Sequence, residues 1–296
     1  MERVTLRVPA TTANLGPGFD SFGCALTLYN TYTFGRLPQG LEITGCPQEF
    51  CNRENLAICA YDAVLAALGL PGEGVRMDVH AEIPVCRGLG SSSAMLAAGA
   101  LAANFLHGGT LSRQTLLAIC TRIEGHPDNL APAIFGGLTA SLMDGETPVT
   151  AHFKLAETLH FVVLIPDFPL STALARSVLP KTVAFSDAVF NVSHAALLLH
   201  ALEMGDMQLL TLALDDRLHQ PYRKGLIRDL EAVRTLAREC GCAAFCISGA
   251  GPTCLCITDG GAEALTRRLP QEFPGWRALC LQADREGAKI IGEETL

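Results

Sequence analysis

The run Pro84-Val-Cys-Arg-Gly-Leu-Gly-Ser-Ser-Ser-Ala94, followed by an alanine- and leucine-rich stretch to Leu106, constrains this chain more than any other part of it. Gly88 and Gly90 can take backbone conformations closed to other residues and let the chain approach a ligand closely. Ser91, Ser92 and Ser93 supply hydroxyls and N-cap chemistry where a helix should begin. Ala94–Leu106 is rich in good helix formers. A glycine loop feeding a helix N-terminus presents free N–H groups and the positive end of a helix dipole, which suits phosphate. The same letters also describe a Gly/Ser turn capping a small-residue core helix, and the stretch alone does not choose between the two.

At 296 residues the chain suits two domains of ordinary size or one large one. An apolar content of 49% with 18% charged residues describes a soluble globular protein with ample core. The net charge of -8 and an isoelectric point near 5.5 argue against a nucleic-acid-binding surface. An anionic ligand therefore has to be met by placed arginines, since the only lysines are Lys154, Lys181, Lys224 and Lys289. The start, Met-Glu-Arg-Val-Thr-Leu-Arg, has no apolar signal region. The longest near-apolar run, Ala94–Leu106, is broken by Asn104 and too short to cross a bilayer. A cytoplasmic protein without a membrane partner is the expectation. None of the 12 cysteines forms a Cys-x-x-Cys pair, and most fall in apolar patterns, so reduced core thiols are expected. Metal binding through Cys240, Cys242 and Cys246 is the lesser alternative, because their spacing fits no common zinc site.

Arg3–Pro9 alternates apolar and polar residues and reads as a strand. It leads into a Gly/Pro-rich loop ending at Gly23, in which Asn14 and Asp20 either serve a ligand or satisfy their own backbone. Cys24–Phe34 is strand-like, Asn55–Leu68 a helix closed by Gly69 and Pro71, and Val75–Ala81 a strand delivering the chain to the glycine loop. A helix follows at Ser112–Glu124. The segment Glu124-Gly-His126-Pro-Asp128-Asn129 then crowds ionisable groups into a turn, where a carboxylate could hold magnesium or simply cap the chain. Leu138–Met143 reads as a strand ending in the turn Asp144–Glu146, and His160–Ile165 as a buried strand. A short helix within Leu170–Pro180 puts Thr172 and Arg176 on one face. Ser186–Leu202 is a long helix, Asp215–Arg223 an irregular polar link, and Leu226–Glu239 another helix. Strands Ala243–Ile247 and Cys254–Thr258, helix Ala262–Leu269 and a last strand Arg277–Gln282 suggest an α+β sandwich with antiparallel pairing.

No Gly-Lys dipeptide occurs, so there is no Walker A loop, and no Gly-x-Gly-x-x-Gly follows the first strand. The loop instead resembles the second motif of the GHMP kinases, in the form Ile83-Pro84-x-x-x-Gly88-Leu89-Gly90-Ser91-Ser92, with Cys86 where that family usually has a small residue. Pro9-Ala-Thr-Thr-Ala-Asn-Leu-Gly-Pro-Gly-Phe-Asp-Ser-Phe-Gly looks like the first motif, and Ser248-Gly-Ala-Gly-Pro-Thr like the third. Within the superfamily three features look like homoserine kinases: the Asn-Leu-Gly-x-Gly-Phe-Asp form, the Glu-Gly-His-Pro-Asp-Asn segment and Asp-x-x-His-Gln-Pro-Tyr-Arg. The motif-one lysine of mevalonate kinases is absent.

The resemblance implies a two-domain α+β GHMP kinase fold: a ribosomal S5 domain 2-like N-terminal domain, set at residues 1–155, and a ferredoxin-like C-terminal domain at 156–296. It implies ATP and Mg2+ as cofactors, L-homoserine as the small-molecule acceptor, and a homodimer. Pro84, Val85, Cys86, Arg87, Gly88, Leu89, Gly90, Ser91, Ser92, Ser93 and Ala94 would wrap the phosphates, with Asn55 at the base or ribose. Ser92 and Glu124 correspond to magnesium ligands. Asn14, Asp20, His126 and Asp128 match positions around the acceptor's amino and hydroxyl ends; Thr172, Arg176 and Arg223 match those at its carboxylate. Two guanidiniums from separate segments are well suited to clamp a carboxylate. Either the γ-phosphate takes the hydroxyl proton or Asp128 acts as base. A GHMP kinase acting on a sugar or isoprenoid alcohol is the alternative function.

Overall fold

The computed structural model describes residues 3–294. A seven-stranded sheet forms the first layer: β1 (Arg3–Ala13), β2 (Phe22–Leu37), β3 (Leu41–Thr44), β4 (Gly74–Ala81), β5 (Leu138–Asp144), β6 (Thr147–Phe153) and β11 (Lys289–Glu294). Strand β2 is long enough to pair twice on one side, with β4 over Asn30–Leu37 and with β5 over Phe22–Cys24. Among the described strands only β3 runs parallel to its neighbour, β4. Pro9 lacks an N–H and cannot complete a regular ladder; the β1–β2 register shifts between Pro9 and Ala10, where a bulge accommodates it.

Helices α1 (Leu56–Ala67), α2 (Ser91–Leu106), α3 (Arg113–Glu124) and α4 (Leu130–Phe135) cover one face of this sheet. Helix α2 is the central one: it lies on β1 and is packed by α1 and α3. Its small residues are what allow this. A Cβ on Gly99 would collide with the Ala57 carbonyl oxygen, so the α1 and α2 backbones touch where only glycine fits.

The second sheet has the antiparallel order β10 (Trp276–Leu281), β7 (His160–Pro166), β9 (Cys254–Thr258), β8 (Ala244–Ile247). The uninterrupted apolar run in β7 is explained by cover on both faces. Val162 and Leu164 pack with α9 (Leu230–Glu239) and α10 (Ala262–Glu272). Phe161, Val163 and Ile165 join a core containing Leu198, Ala201 and Leu202 of α6 (Phe185–Met204) and Leu210 of α7 (Met207–Ala213). Two short helices complete the chain, α5 (Thr172–Ser177) and α8 (Gln220–Arg223). Residues 215–223, expected as an irregular link, thus end in a helical turn, and α9 starts at Leu230 rather than Leu226.

The strand at Trp276–Leu281 is not the last. The chain crosses back and β11 pairs antiparallel with β1, Arg3 opposite Glu294. A division at residue 155 therefore assigns to the second domain a strand that belongs to the first sheet. Ile290 and Ile291 sit side by side, both exposed, so β11 carries no alternating pattern; its pairing with β1 defines it. Strands β3 and β6 and helices α4 and α7 are likewise elements the sequence reading does not contain.

Cys24, Cys120, Cys240, Cys242, Cys246, Cys254 and Cys256 are buried, and all twelve cysteines are free. Burial pushes the Cys120 and Cys246 thiols up to about 12, which keeps them as inert thiols. Among the described residues no group of three or more His, Cys, Asp or Glu side chains could hold a metal, and no helix is long and apolar enough to cross a membrane.

Candidate active site

A cavity of about 360 Å³ opens between the two sheets. It is walled by the loop after β1, the glycine loop before α2, the turn after α3, the start of α5, α8 and the Ser248–Thr253 turn.

The glycine loop is held from several sides. Ser248 Oγ donates to Gly88 O at 2.7 Å, Leu170 N to Cys86 O at 3.1 Å and Thr11 N to Leu89 O at 3.1 Å. The Arg87 guanidinium donates to Pro166 O and Asp167 O, so this arginine ties the loop to β7. Gly88 and Gly90 have φ of 74° and 69°, and any Cβ there would strike Ser248 O and Thr11 Oγ1. The expected serine cap is corrected by the structure. Gly90 is the N-cap of α2, it has no side-chain cap, and Ser91–Ser93 form the first turn. With no side chain accepting from them, the first N–H groups of α2 remain free for an anion at the cavity. Val85, Cys86, Arg87, Gly88, Gly90, Ser91 and Ser92 line the cavity. Pro84 lies outside the lining, and Leu89, Ser93 and Ala94 are buried in the core beneath.

Ser92 Oγ donates to Glu124 Oε1 at 2.6 Å, and Ser93 Oγ approaches the same oxygen at 3.4 Å. Ser92 and Glu124 thus place two hard oxygen donors together on the cavity wall, a set that fits magnesium, which takes few protein oxygens and leaves the rest to water and phosphate. Asn55 caps α1: its Oδ1 accepts from Ala57 N and its Nδ2 donates to Phe50 O. Phe50, Glu54, Leu56 and Met95 share that end of the cavity with it and were not anticipated.

At the other end, Asn14 and Asp20 both sit at positive φ, 68° and 53°. Asn14 Oδ1 accepts from Asp20 N at 2.9 Å, and Asn14 Nδ2 donates to Gly249 O at 2.7 Å, so Asn14 joins the first loop to the third motif. Arg176 donates to both oxygens of Asp20, at 2.9 and 2.7 Å. Ser171 caps α5, whose first residue is Thr172, and Arg176 follows one turn later. The carboxylate of Asp128 is buried, and His126 Nδ1 lies 2.7 Å from its Oδ1, which also accepts from Asn129 N. Asn129 Nδ2 also donates to Oδ1, at 3.4 Å, so all three hydrogen bonds fall on that oxygen and Oδ2 is left for a ligand. Burial opposes the charged form of His126, but the hydrogen bond to Asp128, its charge and that of Glu124 outweigh it and raise the His126 pKa above its ordinary value.

Arg223 is 1% exposed, lines the cavity and forms no ion pair among the described residues. Its Nε donates to Ala175 O and its Nη1 to Gly249 O, each at 3.1 Å, and Nη1 lies 3.3 Å from His219 Nδ1. The two arginines are therefore differently prepared, one neutralised by an acid and one not. Phe19, a residue missed at the sequence level, lies under both guanidiniums, 5.7 Å from Arg176 and 5.1 Å from Arg223. Asp216 and His219, in the Asp-x-x-His-Gln-Pro-Tyr-Arg segment, do not line the cavity but lie buried behind Arg223. The Asp216 carboxylate accepts from the N–H groups of Leu218, His219 and Gln220 and from Asn191 Nδ2.

Comparison with known proteins identifies the family. Residues 55–137 match the model of the GHMP kinases N terminal domain, and residues 198–275 that of the GHMP kinases C terminal. Homoserine kinase of Clostridium botulinum (strain Alaska E43 / Type E3) is 40% identical over 293 residues, covering 97% of this chain and 98% of that protein. Homoserine kinase of Caldicellulosiruptor saccharolyticus is 39% identical over 301 residues, covering 99% and 98%. Among solved structures, homoserine kinase from Cytophaga hutchinsonii aligns with a TM-score of 0.89 at 26% identity over 98% of each chain. The mevalonate kinase of L. major, at 16% identity and a TM-score of 0.74 over 95% of this chain and 96% of its own, shares the fold. With this identity sustained from end to end, and with all three motifs on one cavity, the chain belongs to the homoserine kinases of the GHMP kinase family.

Proposed function

We propose that this protein transfers the γ-phosphoryl group of ATP to the side-chain hydroxyl of L-homoserine, a step toward threonine. One observation carries the reading: a single cavity has free helix N–H groups at one end and two guanidiniums at the other. Phosphates belong at the first and an amino-acid carboxylate at the second.

In this reading the glycine loop and the first turn of α2 hold the phosphates, and Asn55 stands at the nucleoside end. Ser92 and Glu124 would hold magnesium, which when bound neutralises charge between the phosphates. Arg223, Arg176 and Thr172 take the carboxylate of homoserine, Asp20 its ammonium group, and Asn14, His126 and Asp128 Oδ2 orient its hydroxyl. The proton of that hydroxyl passes to a phosphate oxygen. Asp128 serves as an acceptor rather than a base, because its Oδ1 is already held by the Asn129 N–H and by His126 Nδ1. Catalysis then rests on positioning and charge stabilisation. We also infer cytoplasmic residence and a homodimer.

The test is ADP release across a panel of alcohols: L-homoserine, mevalonate and a hexose. Turnover with homoserine at the highest kcat/KM is expected; a preference for mevalonate or the sugar ends the homoserine reading.

A further inference from the structure

We propose that His219 is a positioning residue for substrate recognition: its unprotonated Nδ1 fixes the Arg223 guanidinium and keeps that cation free of any neutralising acid until a substrate carboxylate arrives. This rests on Arg223 being the carboxylate anchor.

The tautomer follows from geometry. His219 is fully buried, and its Nε2 lies 2.8 Å from Gly16 O. A carbonyl only accepts, so Nε2 carries the proton and Nδ1 a lone pair. That lone pair faces Arg223 Nη1 at 3.3 Å. The ring is stacked on Phe19, with centroids 5.2 Å apart and planes 28° apart, which fixes its plane. Gly16 has φ of 67° and packs against Leu214 O, so its carbonyl is itself fixed.

A second proton on His219 would point an N–H at an arginine N–H and set two cations side by side out of water. Among the groups around the ring, Asp216 lies 3.6 Å away on the same segment and, with Asp20 from the first loop, favours the charged form, while burial and Arg223 oppose it. Arg223 itself faces Arg176, Asp20, Asp216 and Asp128. Burial prevails at His219 and its pKa lies below the ordinary value of 6.5. The Asp216 oxygens are spent on backbone N–H groups and Asn191, so that carboxylate shapes the turn before α8 instead of quenching Arg223. A carboxylate in place of His219 would hold Arg223 equally well but would cancel its charge, as Asp20 does for Arg176.

The experiment compares wild type, His219→Gln and His219→Asn in the steady state at saturating ATP and magnesium. Glutamine can keep the donor to Gly16 but offers nothing at the Nδ1 position; asparagine offers an amide oxygen there. His219→Gln should raise the homoserine KM about 10- to 100-fold, the span of one hydrogen bond to a charged group, with the KM for ATP unchanged. His219→Asn should recover most of that loss. In wild type the homoserine KM should rise as the pH falls through the lowered His219 pKa, below the ordinary value of 6.5, and His219→Asn should lack that rise while keeping whatever His126 contributes at higher pH. A homoserine KM that is unchanged in His219→Gln, or raised equally in both variants, overturns the proposal. Should His219→Gln fail to fold, the wild-type and His219→Asn pH profiles decide alone, and superimposable profiles overturn it. Arg223→Met separates the two readings. If it leaves the homoserine KM unchanged, the anchor itself is wrong; if it raises KM while His219→Gln does not, only the role of His219 falls.

Discussion

Replacing Arg223 by methionine tests the acceptor end of the site most severely. The guanidinium is 1% exposed and donates to Ala175 O and Gly249 O, with His219 Nδ1 as its third partner. Removing one member of a buried charge pair costs about 2–5 kcal/mol. At about 1.4 kcal/mol per decade this is a loss of about 30- to 4000-fold in homoserine affinity. Folding should respond quite differently. The lost hydrogen bonds from a charged donor are worth about 1.5–3 kcal/mol each, but the empty site is relieved of a desolvated cation, a penalty of several kcal/mol. Gly249 O also keeps Asn14 Nδ2 as a donor at 2.7 Å. The opposing contributions are of similar size, so the melting temperature should move by no more than about 5 °C. ADP release measured against homoserine concentration, together with a thermal melt, reads both quantities. A homoserine KM within threefold of wild type refutes the assignment. So does a melt lowered by more than about 10 °C with the KM for ATP rising in step, since Arg223 would then be structural.

Asp128→Asn should keep kcat within about tenfold of wild type while raising the homoserine KM, because the amide oxygen can replace Oδ1 as acceptor; a kcat lower by several orders at unchanged KM would make Asp128 the base. Glu124→Gln should raise the magnesium concentration for half-maximal activity by at least about tenfold, and an unshifted titration would remove Glu124 from the ion's coordination. Gly99→Ala gains helix propensity but drives a methyl into the Ala57 carbonyl. Overpacking of this kind costs about 1–3 kcal/mol, and an unchanged denaturation midpoint would show that α1 and α2 can separate freely.

The parts of the site that sequence discloses are those whose chemistry is local. The glycine loop, the Glu124–Asn129 turn and the Asp216–Arg223 segment each carry unusual residues close together, and each reaches the cavity. What escaped notice depends on distant partners. His219 acquires its meaning from Gly16, 203 residues away, and Phe19 from two arginines in the second half of the chain. The turn Asp144–Glu146 is legible in the sequence, yet Thr147–Phe153 becomes a strand only through its ladder with β5. The serine cap failed for a steric reason: the chain must pass against Thr11 at Gly90, so the left-handed glycine takes the cap position and the serines move into the helix.

The contact at Gly99 has a further consequence. Helix α1 begins at its cap Asn55 and α2 at its cap Gly90, both on the cavity, at the ends that the proposed function gives to the nucleoside and to the phosphates. Because the two helices meet backbone to backbone without space for one methyl group, those starting points cannot slide past each other. In the proposed function they would act together as a ruler, setting how far a nucleoside stands from the phosphates it carries.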